Sequence, residues 1–319
     1  MMNLLKYRWL FIGFFLLTML LSVTFLFVNP YNGWGTKPGS SLNLGVDFTG
    51  GTKIYFPVSH AVTSSDVRSV LEKINLPNFK YNDPQPSQFI DSKGIMRHQV
   101  LVYTRFLSDP EQEIVINALE AQFGKVEAGQ GLDITRVDPL IGKELIDNAL
   151  MAVALASLLM IVYIWFRFEL IAGIASIVAL LHDCLVILGV FAVLGLEYNS
   201  TIIATLLTIL GYSINDTIVI FDRIRENLGF RSKDGSFVEL ANDSILQTFR
   251  RSLYTGFTSL FAIMILFLTV PSMKEFCFAL IVGIVSGTYS SIFVASPIWA
   301  IYKDHQEKKA ALRKVASAR

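Results

Sequence analysis

LIAGIASIVALLHDCLVILGVFAVL, residues 170–194, carries no ionisable side chain in its apolar run before His182-Asp183. A helix rises about 1.5 Å per residue, so about 20 such residues cross the ~30 Å hydrocarbon core of a bilayer. Similar runs occupy 9–28 before it, then 145–166, and 200–221, 254–271 and 276–302 after it. Hydrophobic residues make up 53% of the chain and the mean hydropathy is +0.51, which excludes an ordinary soluble protein. The pattern predicts an α-helical membrane protein of six spans. The first run follows Lys6 and Arg8 and stops at Asn29-Pro30. It exceeds the roughly 7–15 apolar residues of a signal peptide and has no small-x-small cleavage site, so it reads as a retained helix.

The charged residues set an orientation. Arg167, Arg223, Arg225, Arg231, Lys233, Arg250 and Arg251 fall on the same side as Lys6, Arg8 and the basic tail at 303–319. The opposite short connections, 195–199 and 271–275, carry Lys274 as their only basic residue. The positive-inside rule then places both termini and the 222–253 loop in the cytoplasm, and 31–144 outside it. A cysteine placed at position 80 is expected to react with an impermeant reagent from outside, and one at 235 only from inside; reaction of 235 from outside would reverse the topology.

Residues 31–144 read as one α+β domain inserted between the 1–30 segment and the five-helix bundle at 145–302. Thr52–Val58 alternates like a strand. Val67, Val70, Leu71 and Ile74 recur at helical spacing over Ser64–Ile74, with Thr63 or Ser64 as N-cap. Residues 79–96 carry turn formers, including Asp83-Pro84 and Lys93-Gly94, with a short strand at 78–82. Gln99–Phe106 is a strand. Asp109-Pro110 opens a second helix as N-cap and N1, with Ile114, Ala118, Leu119 and Phe123 as its buried stripe and Gly124 as its end. Leu132–Val137 is the last strand. The order β-α-β-β-α-β predicts a ferredoxin-like sandwich, a fold that hosts many functions.

An ionisable side chain in mid-membrane costs about 2.5–3.5 kcal/mol on insertion scales and needs a reason. His182 and Asp183 lie midway along the third span, about 100° apart on the helix, so they need not share a partner. Asn215-Asp216 lies in the fourth span, with Tyr212 one turn before Asp216 on the same face. Asp216 admits two readings: a structural ion pair or helix–helix hydrogen bond, or a carboxylate that takes up and releases protons, since burial and a nearby cation act on its ionisation in opposite directions. Asp222 and Arg223 read as interface residues. The sixth span carries Ala279, Gly283, Gly287, Ser291 and Ala295 at every fourth position, a small-residue stripe for close helix packing. Cys184 and Cys277 sit in apolar runs and cannot staple the outer domain. The four His lack ligand spacing, and no phosphate-binding loop or catalytic triad arrangement is evident. No metal, cofactor or enzymatic activity is therefore expected, and no basic patch with interleaved aromatics points to nucleic acid.

Three stretches together resemble the SecF family of protein-export membrane proteins: Gly45-Val46-Asp47-Phe48-Thr49-Gly50-Gly51 after the first span, GYSINDTIVIFDRIREN at 211–227, and Gly-Thr-x-Ser-Ser-Ile-x-Val-Ala-Ser at 287–296. The resemblance implies a SecD partner, a joint twelve-helix unit similar to resistance-nodulation-division (RND) transporters, and location in the cell inner membrane. It also implies proton-motive-force-dependent help to exported polypeptides beside the SecYEG channel and the SecA motor. It assigns proton-linked work to Asp216 and to an arginine at the start of the fifth span, placed at Arg251 with Arg250 adjacent. The family's pre-membrane Val-Gly-Pro pattern stands here as Val137-Asp138-Pro139. The glycine motif at 45–51 reads physically as a joint between membrane and domain, where Asp47 can cap or bridge, and alternatively as a transmitter of motion. A half-transporter of RND efflux type and a passive assembly factor are the competing functional classes.

Overall fold

The computed structural model describes residues 4–27, 43–82, 84–90, 96–126, 132–231, 236–270 and 273–317 of the 319. In chain order, α1 (Arg8–Phe27) and the short α2 (Val46–Thr49) lead into the inserted domain: β1 (Gly51–Val58), α3 (Ser64–Leu71), β2 (Gln85–Ile90), β3 (Met96–Thr104), α4 (Asp109–Phe123) and β4 (Asp133–Val137). The remaining helices are α5 (Pro139–Arg167), α6 (Leu170–Leu194), α7 (Ser200–Leu228), α8 (Phe237–Thr269), α9 (Lys274–Ser290) and α10 (Ser296–Ser317). A π turn at Ser291–Ala295 joins the last two into a single long span. Six helical segments among the described residues are long and apolar enough to cross a membrane.

The bundle is built around α6, α7 and α9, which pack on one another. Against them lie α1, α5 and α8, whose outer faces leave Leu20, Leu159, Phe166, Phe261 and Leu268 exposed, the apolar surface that a bilayer-spanning bundle requires. Gly195 ends α6 in the left-handed region at φ 66°, and Leu196 N donates back to Phe191 O at 3.0 Å, a Schellman-type stop. At the opposite end, α7 and α8 run well past their apolar stretches as polar helix. Arg167 pairs with Asp222 at 2.9 Å there, and Asn227 donates to Ser244 and Gln247.

The four strands form one antiparallel sheet in the order β2-β3-β1-β4, with α3 and α4 packed on a core of Ile54, Phe56, Val67, Leu71, Val100 and Leu119. This is the ferredoxin-like order that the sequence predicts. Details differ. A strand occupies Gln85–Ile90, inside the segment read as turns; Pro86 is tolerated because β2 is a sheet edge. The stretch at 78–82 makes only an isolated bridge, Tyr81 to Thr104. The N-cap of α4 is Ser108 rather than Asp109: its hydroxyl and Glu111 close a capping box. Val115, not Ile114, is the first buried position of that helix, since Ile114 is 46% exposed. Lys93-Gly94 lies outside the described residues.

Two capping boxes and a continuous core predict that a 52–138 fragment folds without the membrane and unfolds cooperatively; a fragment with no cooperative transition would rule out an independent domain. The Arg105 guanidinium, 2.5 Å from Glu111, and then the Ser108 backbone and hydroxyl hold the Glu111 carboxyl down at about 2, against an ordinary 4.5. A lowered folded-state value contributes stability above the unfolded one and loses it as pH falls. The fragment's melting midpoint is therefore expected to drop between about pH 4.5 and 2, and Glu111→Gln to flatten that slope.

Candidate functional site

Along α6, His182-Asp183 enters the centre of the bundle. Asp183 is 0% exposed. Ser213 of α7 and Ser290 of α9 each donate to its Oδ2 at 2.8 Å, and Ser286 of α9 donates to Oδ1 at 2.6 Å. His182 Nδ1 lies 3.2 Å from Oδ1, while its Nε2 lies 2.8 Å from Thr18 Oγ1 on α1, and the ring stacks on Phe15. The adjacent pair thus touch each other and tie four helices together. A buried carboxylate needs several donors to offset its lost hydration, and hydroxyls supply them here.

The small-residue stripe of α9 makes those serines available. A Cβ on Gly283 would meet Ile209 at 2.5 Å, and one on Gly287 would meet Ser213 at 3.0 Å, so α7 and α9 approach closely. Ser291 opens the π turn. Its hydroxyl donates to Ser213 O at 3.1 Å and accepts from Thr217 at 2.9 Å. Ser296 then donates to Ser291 O at 3.0 Å, across the widened turn.

Asp216 lies one turn beyond Ser213 on α7 and is 4% exposed. It makes no ion pair within 4.0 Å among the described residues, and its Oδ2 has no hydrogen-bond partner. The charge of Arg251 and the hydroxyl of Thr255, both on α8, act on this carboxylate. Of the two neighbouring arginines, Arg251 is therefore the one related to Asp216. Tyr212 is half-buried with its hydroxyl unpartnered, and Asn215 is exposed on another face of α7.

The glycine motif builds a third locus, where the inserted domain meets the bundle. Gly50 at φ 72° and Gly51 at φ 148° reverse the chain from α2 into β1, in conformations that a side chain disfavours. Asp47 Oδ2 accepts from Ser200 N at 2.8 Å and Ser200 Oγ at 2.5 Å, placing a carboxylate on the first turn of α7. Gly45 N donates to Tyr198 O at 2.8 Å, and a Cβ on Gly45 would run into the Glu197 carboxylate. Thr49 Oγ1 donates to Gly45 O at 3.0 Å, and the Phe48 carbonyl lies against Gly142 of α5.

Around this joint sit Lys53, Tyr103 and Glu197, with Asn199 donating to Glu275 at 3.3 Å. Burial pushes the Glu197 carboxyl up, and Lys53 and Tyr103 only partly pull it back. Burial opposes the Lys53 charge, but Glu197, Tyr55 and Glu275 outweigh it and raise the ammonium above its ordinary value. Lys53 also lies 5.2 and 5.0 Å from the Tyr55 and Tyr103 ring centroids. Sequence reasoning missed these residues. Lys53 alternates outward on a strand, and the interhelix loop holding Glu197 shows no pattern of its own.

The C-terminal model of the SecD/SecF protein export membrane proteins matches residues 118–305, and the SecD/SecF GG motif matches 42–62. The protein translocase subunit SecF of Alicyclobacillus acidocaldarius is 39% identical over 84% of this chain and 85% of its own; that of Sebaldella termitidis is 36% identical over 80% of each. The crystal structure of SecDF, a translocon-associated membrane protein from Thermus thermophilus, superposes with a TM-score of 0.79 at 33% identity, over 95% of this chain and 38% of that one. The joint on which Asp47 seats α7 falls within the matched GG motif, and both membrane carboxylates fall within the larger match, so this chain belongs to the SecD/SecF family of protein-export membrane proteins, on its SecF side.

Proposed function

We propose that the chain serves Sec protein translocation by coupling proton movement through its bundle to work by the inserted domain on exported polypeptides. The observation that carries this reading is Asp216: a buried carboxylate with no ion pair among the described residues, midway along a helix whose first turn is held by the domain joint. A structural carboxylate is paired, as Asp183 is; an unpaired one is free to change its protonation state. One charge crossing the membrane field gains about 2.3 kcal/mol per 100 mV, enough to bias a modest conformational equilibrium.

The SecDF relative, of which this chain matches 38%, supports a SecD-type partner that supplies the other half of the assembly. SecYEG with SecA is the machinery it assists. The Lys/Arg asymmetry supports the cell inner membrane with both termini cytoplasmic and the domain outside. The chain performs no covalent catalysis in this reading. The test is export into inverted membrane vesicles with and without an imposed proton gradient, comparing the native chain with Asp216→Asn.

A further inference from the structure

One face of a ferredoxin-like sheet carries the helices, and the other has to be covered or stay polar. Ile54 and Phe56 of β1 face α3 and α4, so Lys53 and Tyr55 alternate onto the bare face, with Tyr103 of β3 directly across from Lys53. A lysine there would ordinarily be solvated. Here the bare face is seated: Tyr103 is 6% exposed and packs with Leu101 and with Val46 of α2. The Lys53 ammonium lies over the Tyr55 and Tyr103 rings. It faces carboxylates from two parts of the bundle, Glu197 just before α7 and Glu275 in the first turn of α9. Among the described residues it closes on neither within 4.0 Å, so the two share it. Carboxylates outnumber the cation at this joint. Glu197 is faced by Lys53 from β1, Tyr103 from β3, Glu275 from α9 and Asp47 from α2. Asp47 has the Ser200 donors and Glu275 has Asn199. Glu197 is left with Lys53 and Tyr103, in space that a Cβ on Gly45 would otherwise fill.

We propose that Lys53 is the positioning residue of the inserted domain: it holds the bare sheet face on the bundle against an excess of negative charge, and uptake of a proton by Glu197 from the domain side tightens that seat. The sign follows from linkage. Burial raises the Glu197 carboxyl above its ordinary 4.5 when the domain is seated, and Lys53 and Tyr103 offset only part of this. The seated form therefore binds a proton more tightly than a form with Glu197 in water, and seating is favoured as pH falls towards about 4.5. Glu197 is half-buried in the connection between α6 and α7, so solvent on the domain side can supply that proton. The seat does not involve Asp216 and does not rest on the role proposed for it.

Spin labels at the exposed positions Lys80 and Leu194 report where the domain sits on the bundle, in the full chain in bilayers with Cys184 and Cys277 changed to alanine. The distance distribution between them is expected to narrow as pH falls from about 8 towards about 4.5. Lys53→Met keeps the stem and removes the charge. It should broaden the distribution at neutral pH and move the narrowing up by about one pH unit, because Glu197 loses its cation. Lys53→Arg should restore both. Glu275→Gln keeps an acceptor for Asn199 but removes a like charge, and should move the narrowing down by a smaller step. Glu197→Gln should give a narrow distribution at every pH. A distribution that ignores pH overturns the proposal, as does Lys53→Met with unchanged width and midpoint, or a failure of Lys53→Arg to restore them. If Lys53→Met does not accumulate, Glu197→Gln decides alone, and a pH response that persists there overturns the proposal. Asp216→Asn should leave the response in place; its loss in that variant would assign it to the membrane carboxylate and overturn the seat.

Discussion

Asp216→Asn is expected to leave the protein in the membrane at normal abundance and bound to its partner, while the gradient-dependent part of export falls about tenfold or more. The substitution keeps the side chain's shape and one acceptor but removes its ability to ionise. Little stability should be lost, because among the described residues the carboxylate has no ion pair to break and one of its oxygens has no hydrogen-bond partner. Gradient-driven work depends on a group that differs in charge between two conformations, so removing the charge removes the drive while leaving both conformations intact. Arg251→Met should impair the same step, since Arg251 supplies the cation acting on this carboxylate. Asn215→Ala should do nothing, because its side chain points out of the bundle. If Asp216→Asn exports normally while the gradient still accelerates export, the proton role is wrong; if abundance or partner binding falls instead, Asp216 is structural.

Asp183→Leu should behave in the opposite way, with loss of the protein from the membrane and a melting midpoint well below that of the native chain. The leucine removes the acceptor of three serine hydroxyls and leaves His182 Nδ1 facing an apolar group. Breaking one side of a buried charged network typically costs about 3–5 kcal/mol. That is a large share of the 5–15 kcal/mol that holds a typical domain. Ser286→Ala deletes a single donor and is expected to cost about 1.5–3 kcal/mol, the range for a hydrogen bond to a charged group. A chain carrying Asp183→Leu at native abundance and midpoint would show that the four-helix network is not what holds the bundle.

The two carboxylates look alike in sequence, each an isolated acid in an apolar run, and only the fold separates them. The serine partners of Asp183 lie 30, 103 and 107 residues away, so no local spacing announces them. The stripe at 279–295 is legible as packing, but not as the means by which Ser286 and Ser290 reach a carboxylate. Spans are read easily because hydropathy reports what lipid requires. It is blind where α7 and α8 continue as polar helices beyond the bilayer. In the domain, β2 hides because Gln85, Pro86 and Ser87 read as turn, and edge strands tolerate such residues. Ile114 and Val115 are adjacent and both apolar, so periodicity alone leaves the phase of α4 open by about 100°.

The grip of Asp47 on Ser200 also sets a scale of movement. Asp216 and the Asp47 contact sit at opposite ends of one uninterrupted stretch of α7, about 24 Å long at 1.5 Å per residue. A stiff rod of that length works as a lever: a tilt of about 5° about the Asp216 end swings the other by roughly 2 Å. Any larger displacement of the domain would have to come from the far side of that contact, at Gly50-Gly51, where the chain turns from α2 into β1.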